Sequence, residues 1–516
     1  MLGEAGPSLP SCRASHSACH GRHAAPAFLS AAARVATFVG MNAELPTVAG
    51  ANLLGHAHLF RKDRLALLRA VAEAGPITRL RFFHKPVLFV SSPEMAHQVL
   101  VERARSFEKS PALKILFHDL AGEGLFTSEG PLWQRQRRLM SPLFHAEALT
   151  SYAQTMHAVA ARAVAPLQEG ASVDLAPEMT RIAMNVVAAT LFGAETDADA
   201  EELGRALRVA FAWVDEQLAS ARLSLQISAF EAFEHVGPHM PQAMAAIRDR
   251  IGEALSGPVL LPGHRDAELQ TAFRTIDSKI QALIDDRRAN PTSRVDLLTK
   301  LVLARDAADA DGMSDRQARD EAVTLFVAGH ETTANALAWT FYLLARNPEA
   351  RARVQAEADA CSPDDATPPA LDRLAYTTRV FKESLRLYPP VLVLPRRSLE
   401  PFELGGRLFP ARMLVFVNAF GLHRSASVWP DPDRFDPDRF LPESEAKRPK
   451  SAWLPFGVGP RVCIGNHFAL MEGPIVLATW MRRARFEIDA TRTIEPDSFP
   501  ALRPTAVPAV VRKIRP

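Results

Sequence analysis

At 516 residues the chain is long enough for two or three hydrophobic cores on size alone. An apolar content of 47% beside 23% charged residues is that of an ordinary soluble globular protein and excludes a disordered or fibrous chain. A formal net charge of +2 provides no overall field to draw nucleic acid or an anionic membrane, so a charged partner must use a local patch.

Residues 1–45 are rich in Ala, Ser, His and Pro with little periodicity. They read as a flexible N-terminal extension, or as an upstream-start artefact with Met41 as the true start. From Leu59 to Ala74 the apolar spacing predicts one helix, stopped by Gly75-Pro76. Ile77–Phe82 and Val87–Ser91 flank His84-Lys85-Pro86 as a hairpin, and Ser92-Pro93-Glu94 starts another helix. Beyond about residue 130 the pattern is almost wholly helical up to Tyr388, with breaks at Gly170, Gly237-Pro238, Pro258 to Gly263 and Pro291. Within it Ser314-Asp315-Arg316-Gln317 is a capping box opening a long apolar helix that Asn347-Pro348 ends. Proline is dense from Pro389 to Pro460, which suits loops and small strands such as Met413–Phe416, and a last helix spans about Asn466–Arg482. There is no internal repeat and no domain-sized linker, so the reading is mainly α with a small β part, in a single large domain over residues 46–516.

No run of eighteen uncharged apolar residues occurs, which argues against a membrane anchor. The four cysteines, Cys12, Cys19, Cys361 and Cys463, are too few and too scattered for a disulfide framework or a zinc site. A reducing, cytoplasmic location follows, and each cysteine is judged alone. Three have unremarkable neighbours. Cys463 sits in Phe456-Gly457-Val458-Gly459-Pro460-Arg461-Val462-Cys463-Ile464-Gly465, directly before a helix. Glycines let a backbone turn tightly against a flat cofactor, and amides near a helix start lower a thiol pKa, so Cys463 is expected to be an anion at neutral pH. The loop also begins like a dinucleotide fingerprint, but Val462 replaces the third glycine and no βαβ unit surrounds it.

The run resembles, at every specified position, the haem-binding loop of the cytochrome P-450 family, Phe-Gly-x-Gly-x-Arg-x-Cys-x-Gly. Six fixed positions arise by chance in a chain of this length at odds of roughly one in 10^5. The resemblance extends from about residue 50 to the C-terminus and implies the cytochrome P-450 fold, with haem b enclosed between a long oxygen-side helix and the helix after the cysteine. Cys463 is then the metal ligand and Phe456 part of the haem-binding loop. Glu383 and Arg386 match the family's Glu-x-x-Arg pair, and Arg439 lies in its partner segment Phe435-Asp436-Pro437-Asp438-Arg439-Phe440. All three are implied to be structural, since buried charges need partners. Trp133 and Arg137 match a Trp-x-x-x-Arg motif that meets a haem propionate, with Arg461 and Arg396 as further propionate ligands; alone, the Trp133 segment would read as a basic solvated face.

Ala328-Gly329-His330-Glu331-Thr332-Thr333 places an acid and hydroxyls inside an apolar helix, which is costly unless they serve a purpose. It is similar to the family's oxygen-side signature, in which a distorted turn makes room for dioxygen. By that resemblance Thr332 and Glu331 are catalytic, Glu331 gating protons from solvent, while His330 is expected on the helix surface. Phe126, Ala328 and Val391 would line an apolar substrate pocket. Lys85 reads either as a carboxylate anchor at its entrance or, more simply, as a solvated turn lysine.

The resemblance implies a monooxygenase that inserts one oxygen atom from O2 into a hydrophobic small molecule, a fatty acid, terpenoid or similar, the bacterial fatty-acid-hydroxylating members being the most alike around Phe126. No flavin, nicotinamide or iron-sulfur motif is present, so electrons are expected from a separate ferredoxin- or flavodoxin-type partner, docking where Arg135 and Arg138 offer positive charge. A monomer is expected. Two rival readings stay open: a haem-thiolate peroxygenase using hydrogen peroxide, and a non-catalytic haem sensor.

Overall fold

The computed structural model describes residues 45–193, 197–218, 220–257, 264–290, 296–304, 312–361, 371–498 and 501–514. Residues 46–516 form one compact unit, not the two or three domains that length alone would allow. The proposed N-terminal extension, with Cys12, Cys19 and Met41, lies outside the described residues apart from Leu45.

The segment read as one helix from Leu59 is two, Ala57–Lys62 and Arg64–Ala74. Asp63 adopts an extended conformation between them and its side chain accepts from the Ala66 amide, capping the second helix. The hairpin supplies β1 (Ile77–Phe82) and β2 (Lys85–Val90), a segment the sequence does not single out supplies β3 (Phe107–Lys109), and the proline-rich region supplies β4 (Leu394–Ser398) and β5 (Leu414–Val417). They form one sheet in the order β1-β2-β5-β4-β3, antiparallel except for β2 beside β5. In it Lys109 pairs in register with Arg396. The stretch expected to be almost wholly helical contains a strand just after its Gly170 break, Ser172–Asp174, which pairs with the C-terminal Pro508–Ile514. Edge pairing with a distant segment leaves no local periodicity to read.

The helical body is arranged around Asp315–Arg346, hereafter the central helix, whose Ser314 capping box is formed as expected. It is buried on nearly every side and packs most extensively against Leu175–Phe192. Gly329 permits that approach, because a β-carbon there would lie 2.9 Å from Val187 Cγ2. Trp339, fully buried, stacks on Tyr388 at 3.9 Å between ring centroids and donates to the Leu502 carbonyl. Against the central helix also lie Ala375–Leu387, which carries Glu383, and Asn466–Arg483, which follows Cys463.

Candidate active site

The cysteine loop closes on itself through the Cys463 amide, which donates to the Phe456 carbonyl at 2.8 Å. Gly457 and Gly459 have φ of 67° and 77°, in the left-handed region that side chains disfavour. At Gly459 a β-carbon would also stand 2.2 Å from the Leu100 carbonyl oxygen, so the loop is pressed against the residues before β3. Cys463 is exposed by surface area, although protein crowds it enough to perturb its ionisation. Burial pushes its thiol pKa up, while the Gly465 amide and Arg137 pull the other way. The anion expected from the sequence is therefore not secured by the protein alone: the desolvation cost exceeds the help from one amide and one guanidinium. Metal coordination deprotonates a thiol outright.

The expected cations gather on the same side. Arg461 spreads its guanidinium on the Glu129 carboxylate, with Nη1 to Oε1 at 2.6 Å, and lies 4.9 Å from the Trp133 ring centre. Arg396, half-buried, is brought down to about 10 by burial and then by nearby Arg461, with Glu129 opposing. Two residues of this cluster went unnoticed in the sequence. Glu129 also accepts from the Lys109 amide at 2.7 Å, and the half-buried Lys109 ammonium is lowered to about 7 by desolvation, with Glu129 opposing. An accessible sulfur with Arg137 beside it, and Arg396 close to the Arg461 that lies over Trp133, suit an iron porphyrin: one soft ligand for the metal and guanidiniums for two carboxylates. Arg135 donates to the Gly312 carbonyl at 3.1 Å and Arg138 is exposed.

Glu383 and Arg386 are both fully buried and joined by two hydrogen bonds of 2.7 Å. The remaining Arg386 donors go to the carbonyls of His423, Pro432 and Arg434, and Glu383 accepts from the Asp436 amide. Arg439 Nε lies 3.5 Å from Glu383 Oε1 and its Nη2 donates to Asp431. The helix of Glu383 is thereby tied to the loop that leads into Cys463.

On the central helix Ala328 is exposed although most residues before it are buried. Thr332 donates to the Ala328 carbonyl at 2.8 Å, the ordinary back-bond of a helical threonine. The helix is continuous through this segment, so the distorted turn implied by the resemblance is absent. Glu331 is half-buried, and desolvation pushes it up to about 7 against a weaker pull from Arg503. His330 is not on the surface: it is 6% exposed, its Nδ1 donates to the Phe326 carbonyl at 2.8 Å, and burial lowers its pKa. The helix has no solvent face there to receive it. Phe126 and Val391 are 36% and 38% exposed, unusual for large apolar side chains in segments that are otherwise covered. Phe126 stands edge-on to Phe117 at 5.2 Å between centroids. Lys85 is neither a solvated turn residue nor open to a ligand, since its ammonium pairs with Glu231 at 2.5 Å.

No helix among the described residues is long and apolar enough to cross a membrane. The sequence model of the family described as Cytochrome P450 matches residues 46–506. Cyclooctatin synthase of Streptomyces melanosporofaciens is 33% identical over 84% of this chain and 88% of its own length. Pentalenene oxygenase of Streptomyces avermitilis is 29% identical over 89% of this chain and 93% of its own. The crystal structure of the cytochrome P450DA haem domain superimposes with a TM-score of 0.73 at 24% identity, covering 92% of this chain and 98% of that one, which bears on the fold. With its cysteine loop, buried Glu383–Arg386 pair and central helix in place, the chain belongs to the cytochrome P450 family of oxygen-incorporating oxidoreductases.

Proposed function

We propose that this chain is a haem-dependent monooxygenase that hydroxylates a hydrophobic terpenoid; Cys463 would ligate the haem iron, and Glu331 and Thr332 are the catalytic side chains. The observation that carries the reading is the accessible Cys463, beside Arg137 and preceded by the glycine loop. When bound, the thiolate-ligated haem supplies the redox chemistry that activates dioxygen.

The chain's own residues hold, shield and protonate. Arg137, Arg396, Arg461 and Trp133 would hold the propionates, and Glu383, Arg386 and Arg439 keep the supporting helix and loop in register. Glu331, close to half-protonated at neutral pH, is matched to releasing and recovering a proton. Thr332 can serve the same site once its hydroxyl leaves the Ala328 carbonyl. Phe126, Ala328 and Val391 provide apolar walls that position the substrate and exclude water. Terpenoid over fatty acid is favoured by the names of the two relatives and by Lys85, which is engaged with Glu231 and does not present a free cation to a carboxylate. Electrons come from a separate ferredoxin- or flavodoxin-type carrier, for which Arg138 contributes a surface charge.

The test is turnover of pentalenene, geranylgeraniol and lauric acid with a ferredoxin and its reductase. Addition of one oxygen atom to a terpenoid, dependent on the electron carrier, is expected. Equal turnover with hydrogen peroxide alone, or oxidation of the fatty acid only, contradicts the reading.

A further inference from the structure

The loop Gly122–Ser128 presents Phe126 and is held from two sides. From the central helix, Asp320 Oδ2 accepts from the Glu123 amide and Glu321 Oε2 from the Leu125 amide, each at 2.9 Å. From the opposite side, Lys109 at the end of β3 donates its ammonium to the carbonyls of Leu125 at 2.9 Å and Ser128 at 2.7 Å. Gln136 braces the loop by accepting from the Ser128 hydroxyl and donating to the Glu123 carbonyl, both at 2.7 Å. Phe126 takes part in none of these bonds.

The loop is also fitted to the helix sterically. A β-carbon on Gly122 would stand 2.1 Å from Asp320 Oδ2, and one on Gly124 would stand 2.2 Å from Thr324 Oγ1. Glu321, Thr324, Ala328 and Thr332 are spaced to share one face of the helix, so the same face grips the loop and borders the site. Glu321 is fully buried, yet its Oε1 and the neighbouring Thr324 Oγ1 have no hydrogen-bond partner. A buried carboxyl with an idle oxygen costs stability that a leucine would not, which separates Glu321 from a residue serving packing alone.

We propose that Asp320 and Glu321 clamp the 122–128 loop so that Phe126 is fixed over the substrate cavity, making Glu321 a positioning residue that sets the regiochemistry of oxidation. The regiochemical part rests on the monooxygenase reading; the clamp itself does not. Glu321→Ala removes the acceptor of the Leu125 amide, whereas Glu321→Gln keeps it.

The experiment uses the full-length, haem-loaded protein. Hydrogen exchange in the 122–128 peptide should rise roughly tenfold in E321A and stay at the parent rate in E321Q. With pentalenene as probe, E321A should redistribute the hydroxylated products and E321Q should not. Unchanged exchange in E321A, or faster exchange with an unchanged product ratio, overturns the proposal. Should E321A fail to retain haem, Lys109→Met loosens the loop from its other side and must give the same two changes, their absence being equally fatal. A parent protein that shows slow loop exchange but oxidises nothing defeats the monooxygenase reading and leaves the clamp standing.

Discussion

Glu331 combines two properties that a proton-handling group needs: it lies next to Thr332 on the central helix, and burial holds its pKa up at about 7. Below that pH it carries the proton and above it loses it, so a proton-limited turnover should decline as pH rises through about 7. Glu331→Gln should abolish that inflection and lower kcat by about 10^2-fold or more, as measured in a pH series of product formation. Thr332→Ala should instead leave oxygen consumption running while product per electron falls several-fold. The sequence singles out both residues because an acid and a hydroxyl inside an apolar helix are costly. The same argument applies to Asp320, Glu321 and Glu472, all buried, which the sequence reading passed over because no motif drew attention to them. His330 was misplaced for a related reason: periodicity identifies a helix but not how many of its faces are covered.

The Glu383–Arg386 pair shows an element held by charge. Both side chains are fully buried, and every Arg386 donor has a partner, so removing Glu383 strands a guanidinium in the interior. Glu383→Ala should cost about 3–5 kcal/mol in denaturant unfolding, with loss of bound haem, and Glu383→Gln somewhat less. Exposed pairs such as Arg512–Glu487 should cost under about 1 kcal/mol when broken. Helix boundaries with chemical signals came through well: the Ser314 capping box and the Asn347-Pro348 stop both lie where the residues put them. What did not come through depends on distant partners. Asp63 divides a continuous apolar pattern by capping the second piece, and Ser172–Asp174 becomes a strand only because Pro508–Ile514 lies beside it. Pro474 sits inside the last helix, where sequence rules would place a break.

At the scale of the whole molecule, stability is tied to buried acids. Glu472 is fully buried on the helix after Cys463; the Thr333 hydroxyl is near it, yet neither carboxylate oxygen has a well-formed hydrogen bond, and desolvation pushes its pKa up to about 8. The native state therefore keeps a proton that the unfolded chain releases above the ordinary carboxylate range, and this stabilisation is lost as pH rises toward 8. Replacing Glu472 with Gln removes the dependence, so the wild type should lose about 1.4 kcal/mol per pH unit relative to E472Q between pH 5 and pH 7, measured by urea unfolding. The single compact unit and its α-rich character were readable from the motifs even though length argued for several domains. Phe126, Ala328 and Val391, which the sequence placed around a substrate, are all exposed.

The account as a whole depends on sulfur ligation at position 463. Reduced protein exposed to carbon monoxide should show the strongly red-shifted Soret band of thiolate-bound haem, and Cys463→His should lose it while retaining haem. A reduced carbon monoxide spectrum of the parent protein without that red shift would contradict the assignment.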